Sequence, residues 1–250
     1  MKIGIVGYGF VGQAHEAALK EYHDILINDP DKGHYADISY ADAIIICVST
    51  PQADDGSCNM ENVYSVIKDA PDVPILIKST ISLEGWDTLR TDCFNAKLAF
   101  SPEFLRAESA LEDFKNTTHF MIGGDNTGFW AELFITAMGN IDVSTMSVPE
   151  LILIKYFRNA FLATKVAFFN EIYDLCSATS IDYETVANGI GSDNRIGIGH
   201  TKVTAERGFG GHCFPKDVSA VLKTAGIFKN NLNILTAANN YNNQIRKDND

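Results

Sequence analysis

Lys2-Ile3-Gly4-Ile5-Val6-Gly7-Tyr8-Gly9-Phe10-Val11-Gly12 is the stretch that decides the fold. Residues 2–6 make a short, nearly continuous apolar run, the mark of a strand covered on both faces. The glycines that follow are spaced G-x-G-x-x-G, and residues 13–21 have helical composition. Between a strand and a helix, such glycines allow a tight turn and close approach to a pyrophosphate, which the helix N-terminus attracts. Residues 24–28 read as a second strand that ends at Asp29. A carboxylate there accepts ribose hydroxyls and repels a 2′-phosphate, so the pattern predicts NAD in preference to NADP.

Outward from this stretch the same rhythm repeats. Residues 43–48 are apolar throughout and run into Ser49-Thr50-Pro51, at the carboxyl end of a strand, where open α/β sheets bind ligands. Residues 54–59 form a polar turn, 63–69 a helix, and 74–77 a buried strand ending in Lys78-Ser79-Thr80. A short strand at 98–100 leads into Ser101-Pro102-Glu103, and segments around Leu111, at 120–123 and at 141–143 complete the unit. The fold class is therefore α/β, with a Rossmann-type, doubly wound, mainly parallel sheet over residues 1–148.

From Pro149 the pattern turns helical, and residues 149–250 are expected to form an all-helical domain. A helix over 151–175 is strongly apolar but carries Lys155, Arg158, Asn159 and Lys165, which argues for a buried helix and against a membrane span. Lys155 and Asn159 share one face. A buried lysine needs a partner, and a substrate oxyanion would be one. Further helices are expected at 183–189 and, as one continuous element, from about Lys216 to about Asn243.

Composition narrows the function classes. The chain has 250 residues, is 46% hydrophobic, and carries a net charge of −12, which argues against nucleic-acid or anionic-membrane partners. Its five cysteines are scattered without a C-x-x-C pair, so neither a disulfide framework nor a metal site is expected. No signal peptide is apparent, and a reducing, cytoplasmic location is expected.

The densest chemistry lies in Gly208-Phe209-Gly210-Gly211-His212-Cys213-Phe214-Pro215-Lys216-Asp217. Proline favours a helix start, which puts Cys213 at or just before a helix N-terminus. The dipole and Lys216 would both favour its thiolate, and Asp217 falls one turn on. Thiolate, cation and carboxylate in one turn suit covalent chemistry on a carbonyl.

Taken together, these segments resemble the UDP-glucose/GDP-mannose dehydrogenase family. The matching stretches are GYGFVG, VSTP followed by DGS, KST, SPEFLR with a later EDF, KYFRNAFLATKVAFFNE and GFGGHCFPKD. The resemblance implies oxidation of the C6 alcohol of a nucleotide sugar, most like UDP-glucose, with two NAD+ per turnover. It implies Cys213 as nucleophile, Lys155 and Asn159 as oxyanion stabilisers, and Asp217 and Thr80 as holders of water. Glu103 would line the sugar site and take part in proton transfer. NAD contacts are implied for Gly7, Tyr8, Gly9, Phe10, Val11, Gly12, Asp29, Thr50, Pro51, Thr80 and Lys216. Substrate contacts are implied for Glu103, Phe104, Leu105, Lys155, Asn159, Arg195, Phe209 and Gly210. It also implies a homodimer through the 151–175 helix.

The departures are local and global. The family's second glutamate is replaced by Ala107, with Glu108 next; His212 stands where a serine is common. The family's C-terminal nucleotide-binding domain is expected to have no counterpart within these residues. GDP-mannose and UDP-N-acetylhexosamines remain open as substrates. So do a β-hydroxyacid dehydrogenase and an NAD-binding homologue with little activity.

Overall fold

A computed structural model describes residues 1–139 and 141–247, and the chain divides into two compact units. The first comprises Met1–Ala53 and Cys58–Lys155; the second takes the Asp54–Ser57 turn and the residues from Tyr156 onward.

In the first unit β1 (Lys2–Val6), β2 (Asp24–Asp29), β3 (His34–Tyr35), β4 (Ala43–Ile46), β5 (Pro74–Ile77), β6 (Lys97–Phe100), β7 (His119–Gly124) and β8 (Asp142–Thr145) form one sheet in the order β3-β2-β1-β4-β5-β6-β7-β8. The pairings β2–β1, β1–β4, β4–β5 and β5–β6 are parallel, as the apolar runs predict. The edges depart from that rule: β3 is antiparallel to β2, and β7 is antiparallel to β6. Ile44, Ile45 and Ile46 are all fully buried, so β4 is covered on both faces. Each such side chain contributes roughly 2 kcal/mol of burial.

The helices of this unit are α1 (Phe10–Leu19), α2 (Glu61–Asp69), α3 (Leu83–Asp92), α4 (Ala110–Lys115) and α5 (Thr127–Met138). Trp130, Leu133 and Phe134 of α5 join Ile3, Ile45 and Leu76 of the strands in one apolar cluster. The reading of the sequence leaves α3 and α5 unassigned. In α3 the signal was present: the Ser82 hydroxyl caps the helix by accepting from the Gly85 N–H. In α5 it was absent, because Asn126 enters the helix at φ 52° and makes no side-chain cap.

The helix α6 (Val148–Thr179) is continuous, and the compact units divide within it, after Lys155. Beyond it lie α7 (Tyr183–Gly191), α8 (Phe214–Ile227) and α9 (Asn233–Ile245). The single last helix expected over 216–243 is therefore two. Lys229 and Leu232 both take positive φ, 56° and 41°, a conformation no right-handed helix can carry through. Among the described residues no helix is long and apolar enough to cross a membrane.

Candidate functional site

The glycine loop sits where the strand order reverses, between β1 and β4, which is where open α/β sheets leave a ligand crevice. Gly7 has φ 90°, and a Cβ there would come within 2.6 Å of the Cys47 backbone. A Cβ at Gly12 would collide with the Gly7 carbonyl oxygen. Around Gly9, by contrast, a Cβ would meet nothing within 4 Å. Gly9 is also the N-cap of α1 and offers no side-chain acceptor to the first turn. The loop is thus closed on its protein side and open, with uncapped N–H groups, on the other. That is the cradle a pyrophosphate fits. Asp29 Oδ2 accepts the Tyr8 N–H at 2.6 Å, which fixes the carboxylate beside the loop. Lys32 adds a second tie, donating to the Tyr8 carbonyl at 2.8 Å. Phe10 is exposed and Val11 half-buried at the helix start; at the exit of β4, Thr50 is buried and Pro51 exposed. The residues present fit NAD.

The exits of β5 and β6 build a second cluster in the same unit. Glu103 Oε1 accepts the Phe104 and Leu105 N–H groups at 2.8 and 3.1 Å, and Oε2 lies 3.2 Å from Lys78 Nζ. Lys78, 6% exposed, also donates to Ser101 Oγ at 3.0 Å. Burial alone would raise the Glu103 pKa, but the Lys78 ammonium and the backbone donors outweigh it and hold the carboxyl below its ordinary range. Lys155 is 8% exposed; its ammonium donates to the Glu103 carbonyl oxygen at 2.6 Å and lies 5.4 Å from the centre of the Phe104 ring. The carbonyl is the partner that a lysine in an apolar helix requires. Beneath the cluster lies His15 of α1, fully buried, its Nδ1 2.8 Å from the Val11 carbonyl and its ring edge-on to Phe114. Thr80 is half-buried at the exit of β5. Ala107 and Glu108 both lie on an exposed 3₁₀ turn.

In the second unit Cys213 is exposed and is the N-cap of α8, with Phe214 and Pro215 as the first helical residues. Asp217 is fully buried one turn on. Its Oδ2 accepts Asn159 Nδ2 at 2.5 Å and its Oδ1 accepts Lys216 Nζ at 2.7 Å. The Lys216 ammonium thus goes to the carboxylate, where the sequence directs it toward the thiol. Asn159 of α6, 8% exposed, is joined to the first turn of the helix that Cys213 caps. Arg195 is exposed and closes on Asp193, its Nε 3.0 Å from Oδ1. Phe209 is 3% exposed, so its ring is packed inside, and Gly210 backs onto the Arg246 guanidinium.

Four side chains at these sites escaped the sequence. Lys78 stands in a marked triplet, but its link to Glu103 is made only by strand order. His15 reads as one polar residue on a helix. The amides of Asn170 and Asn242, described below, hold the glycine loop from helices distant in sequence.

A glycine cradle, a carboxylate fixed beside it and a switch-point crevice place the first unit among NAD-binding α/β domains. The chain belongs to the UDP-glucose/GDP-mannose dehydrogenase family, whose NAD binding domain matches residues 33–133 and whose central domain matches residues 151–244. It is 33% identical over 220 residues to a UDP-glucose 6-dehydrogenase of Bacillus subtilis, covering 82% of this chain and 49% of that one. A UDP-glucose 6-dehydrogenase of Rickettsia felis is 34% identical over 228 residues, 85% of this chain and 48% of its own. The chain spans about half the length of these relatives. The solved structure of a UDP-glucose dehydrogenase from Pyrobaculum islandicum superposes with a TM-score of 0.84 at 25% identity, over 97% of this chain and 68% of that one.

Proposed function

We propose that this chain supplies the cofactor-binding and thiol-bearing parts of an NAD-dependent nucleotide-sugar 6-dehydrogenase that converts UDP-glucose to UDP-glucuronate. The glycine loop and Asp29 of the first unit would hold NAD, which would supply the hydride acceptor for two successive oxidations at C6. The first turns the alcohol into an aldehyde. The Cys213 sulfur then adds to the aldehyde carbon, and the new C–S bond makes a thiohemiacetal. The second oxidation leaves a thioester. Water attacks that carbonyl, the C–S bond breaks, and the acid departs while Cys213 regains its thiol. Each turnover consumes one alcohol, two NAD+ and one water, and gives one carboxylate, two NADH and three protons.

The other residues take roles that fit their chemistry. The Lys155 ammonium and the Asn159 amide stabilise the oxyanion, work of the kind that is often the largest catalytic contribution. Asp217, held by Asn159 and Lys216, orients the attacking water, a role that the resemblance also gives to Thr80. Glu103, kept as a carboxylate by Lys78, serves as acceptor and base in proton transfer. Phe104, Leu105, Arg195 and Gly210 contribute to the sugar-nucleotide surface, while Phe209, its ring packed inside, supports the loop. The active form is a homodimer joined through α6, and the setting is cytoplasmic.

The observation that carries this reading is the buried Asn159–Asp217 pair in the turn that Cys213 caps. A charge and an amide joined to the turn that bears the thiol support covalent chemistry, for which a simple two-electron dehydrogenase has no use. The test is NADH stoichiometry with UDP-glucose, alongside GDP-mannose and UDP-N-acetylhexosamines, in the chain and in Cys213→Ser. Two NADH per UDP-glucose, lost in the serine variant, is expected. One NADH per substrate, or full turnover without the thiol, would refute the covalent scheme.

A further inference from the structure

The loop that carries Cys213 is built from glycines, yet its backbone is held at consecutive residues by two buried amides. Asn170 of α6, 1% exposed, uses Oδ1 to accept the Gly208 N–H at 3.1 Å and Arg207 Nε at 2.9 Å, and donates Nδ2 to the Val166 carbonyl at 2.9 Å. Asn242 of α9, 4% exposed, accepts the Phe209 N–H at 2.6 Å and returns Nδ2 to the Phe209 carbonyl at 3.1 Å. A carboxamide carries an acceptor and a donor side by side, which suits the N–H and carbonyl of one residue. Arg246 then donates to the Arg207 carbonyl at 2.9 Å, and the Lys247 N–H to the Glu206 carbonyl at 2.8 Å. The last turn of α9 and the two residues after it therefore hold the loop backbone from Glu206 to Phe209, much as a neighbouring strand would.

The glycines are shaped to this grip. Gly208 takes φ 55°, and a Cβ there would strike the Asn242 side chain; a Cβ at Gly210 would strike Arg246. The loop can lie against α9 only because these positions lack side chains. Asn242 also falls on the apolar face of α9, two turns after the buried Leu235, where a polar residue without a task would be costly.

We propose that Asn242 is a positioning residue for catalysis: by clamping both backbone groups of Phe209, it fixes the path of the loop and hence the placing of Cys213 at the start of α8. The inference rests on Cys213 being the nucleophile. A nucleophile free to wander by an ångström forfeits on the order of a hundredfold in rate. Loss of the clamp acts on the chemical step and leaves the cofactor site in the first unit alone.

The test compares the unmodified chain with Asn242→Ala and Asn242→Asp. Aspartate keeps the acceptor for the Phe209 N–H and loses the donor to its carbonyl. Three readouts are taken, the first two on the unmodified chain and on variants shown by thermal melting to be folded. The first is kcat for UDP-glucose beside the dissociation constant for NAD+. The second is the fluorine spectrum of a trifluoroacetonyl label on Cys213, assigned against Cys213→Ser. The third is amide exchange at Phe209 in the unmodified chain. We expect kcat to fall at least about tenfold in the alanine variant and less in the aspartate variant, with NAD+ affinity unchanged. The label should give one narrow line in the unmodified chain and several or broadened lines in the alanine variant. The Phe209 amide should exchange as slowly as those of α9. A folded alanine variant with unchanged kcat and one narrow label line overturns the proposal. So does a Phe209 amide that exchanges at the rate of an open loop, an outcome that stands even if neither variant folds. Turnover that survives Cys213→Ser would instead sink the nucleophile assignment, a failure the fluorine and exchange readouts would not share.

Discussion

Asp29 performs two tasks with one carboxylate. It accepts the Tyr8 N–H inside the protein and presents its remaining lone pairs at the edge of the glycine cradle. The chain is expected to bind NAD+ and to discriminate against NADP+, and Asp29→Ala to weaken NAD+ binding roughly tenfold, the worth of a hydrogen bond to a charged group. Calorimetric titration decides it; NADP+ binding as tight as NAD+ in the unmodified chain would count against the assignment. Lys78 makes the complementary case, a buried charge whose partner is the Glu103 carboxylate of the protein itself. The two side chains are 4% and 14% exposed, so Lys78→Met leaves a buried carboxylate without a counter-ion. Such a break costs about 3–5 kcal/mol, and restoring neutrality with Glu103→Gln should recover most of it. Urea denaturation of the single and double variants measures this, and a double variant no more stable than Lys78→Met would show that the two charges are not coupled. Asp29 was legible because a motif of fixed spacing points to it. Lys78 was not, because β5 and β6 must be paired before it can be seen to meet Glu103.

At the scale of elements, α6 was legible by its apolar length, and the structure shows that the length is not all used internally. Phe161, Phe168 and Leu175 recur at heptad spacing and are 70%, 55% and 66% exposed; Phe157, 43% exposed, extends the stripe. A continuous apolar stripe of this kind is what a helix pairing with its own copy presents. The chain is expected to be a dimer at micromolar concentration, and Phe161→Glu with Phe168→Glu to give monomers without loss of helicity. Light scattering and far-UV circular dichroism together check this, and an unmodified chain that runs as a monomer would dismiss the pairing. The break between α8 and α9 shows the opposite limit. Gly226 and the Asn230-Asn231 pair were weak turn signals inside a helical composition. What ends α8 is the positive φ of Lys229, a conformation that lysine does not announce. In the polar tail of α9 the task of Asn242 was not legible, because it arises only against Phe209, from another part of the chain.

For the molecule as a whole, a single buried residue of α1 gives stability a marked dependence on pH. His15 is completely buried, and its Nε2 has no partner among the described residues. Burial, aided by the nearby Lys78 charge and opposed by Glu103, lowers its pKa to about 4. An unfolded chain would protonate this imidazole near its ordinary value of about 6.5, whereas the folded chain would not do so until about 4. Between those values the unfolded state binds the extra proton, so stability is full above the upper limit and falls as the solution is acidified toward the lower one. Below it both states are protonated and His15 takes nothing more away. The shift is worth on the order of 3 kcal/mol, a large part of a domain's margin. Glu103 acts in the same direction further down, since its depressed pKa stabilises the fold only while the carboxylate stays ionised. Denaturant midpoints measured from pH 7.5 to pH 4 are therefore expected to drop steadily. In His15→Leu, which fills the same apolar space without a titrating group, the drop between pH 6.5 and pH 4.5 should flatten. An equally steep fall in that variant would place the acid sensitivity elsewhere in the chain.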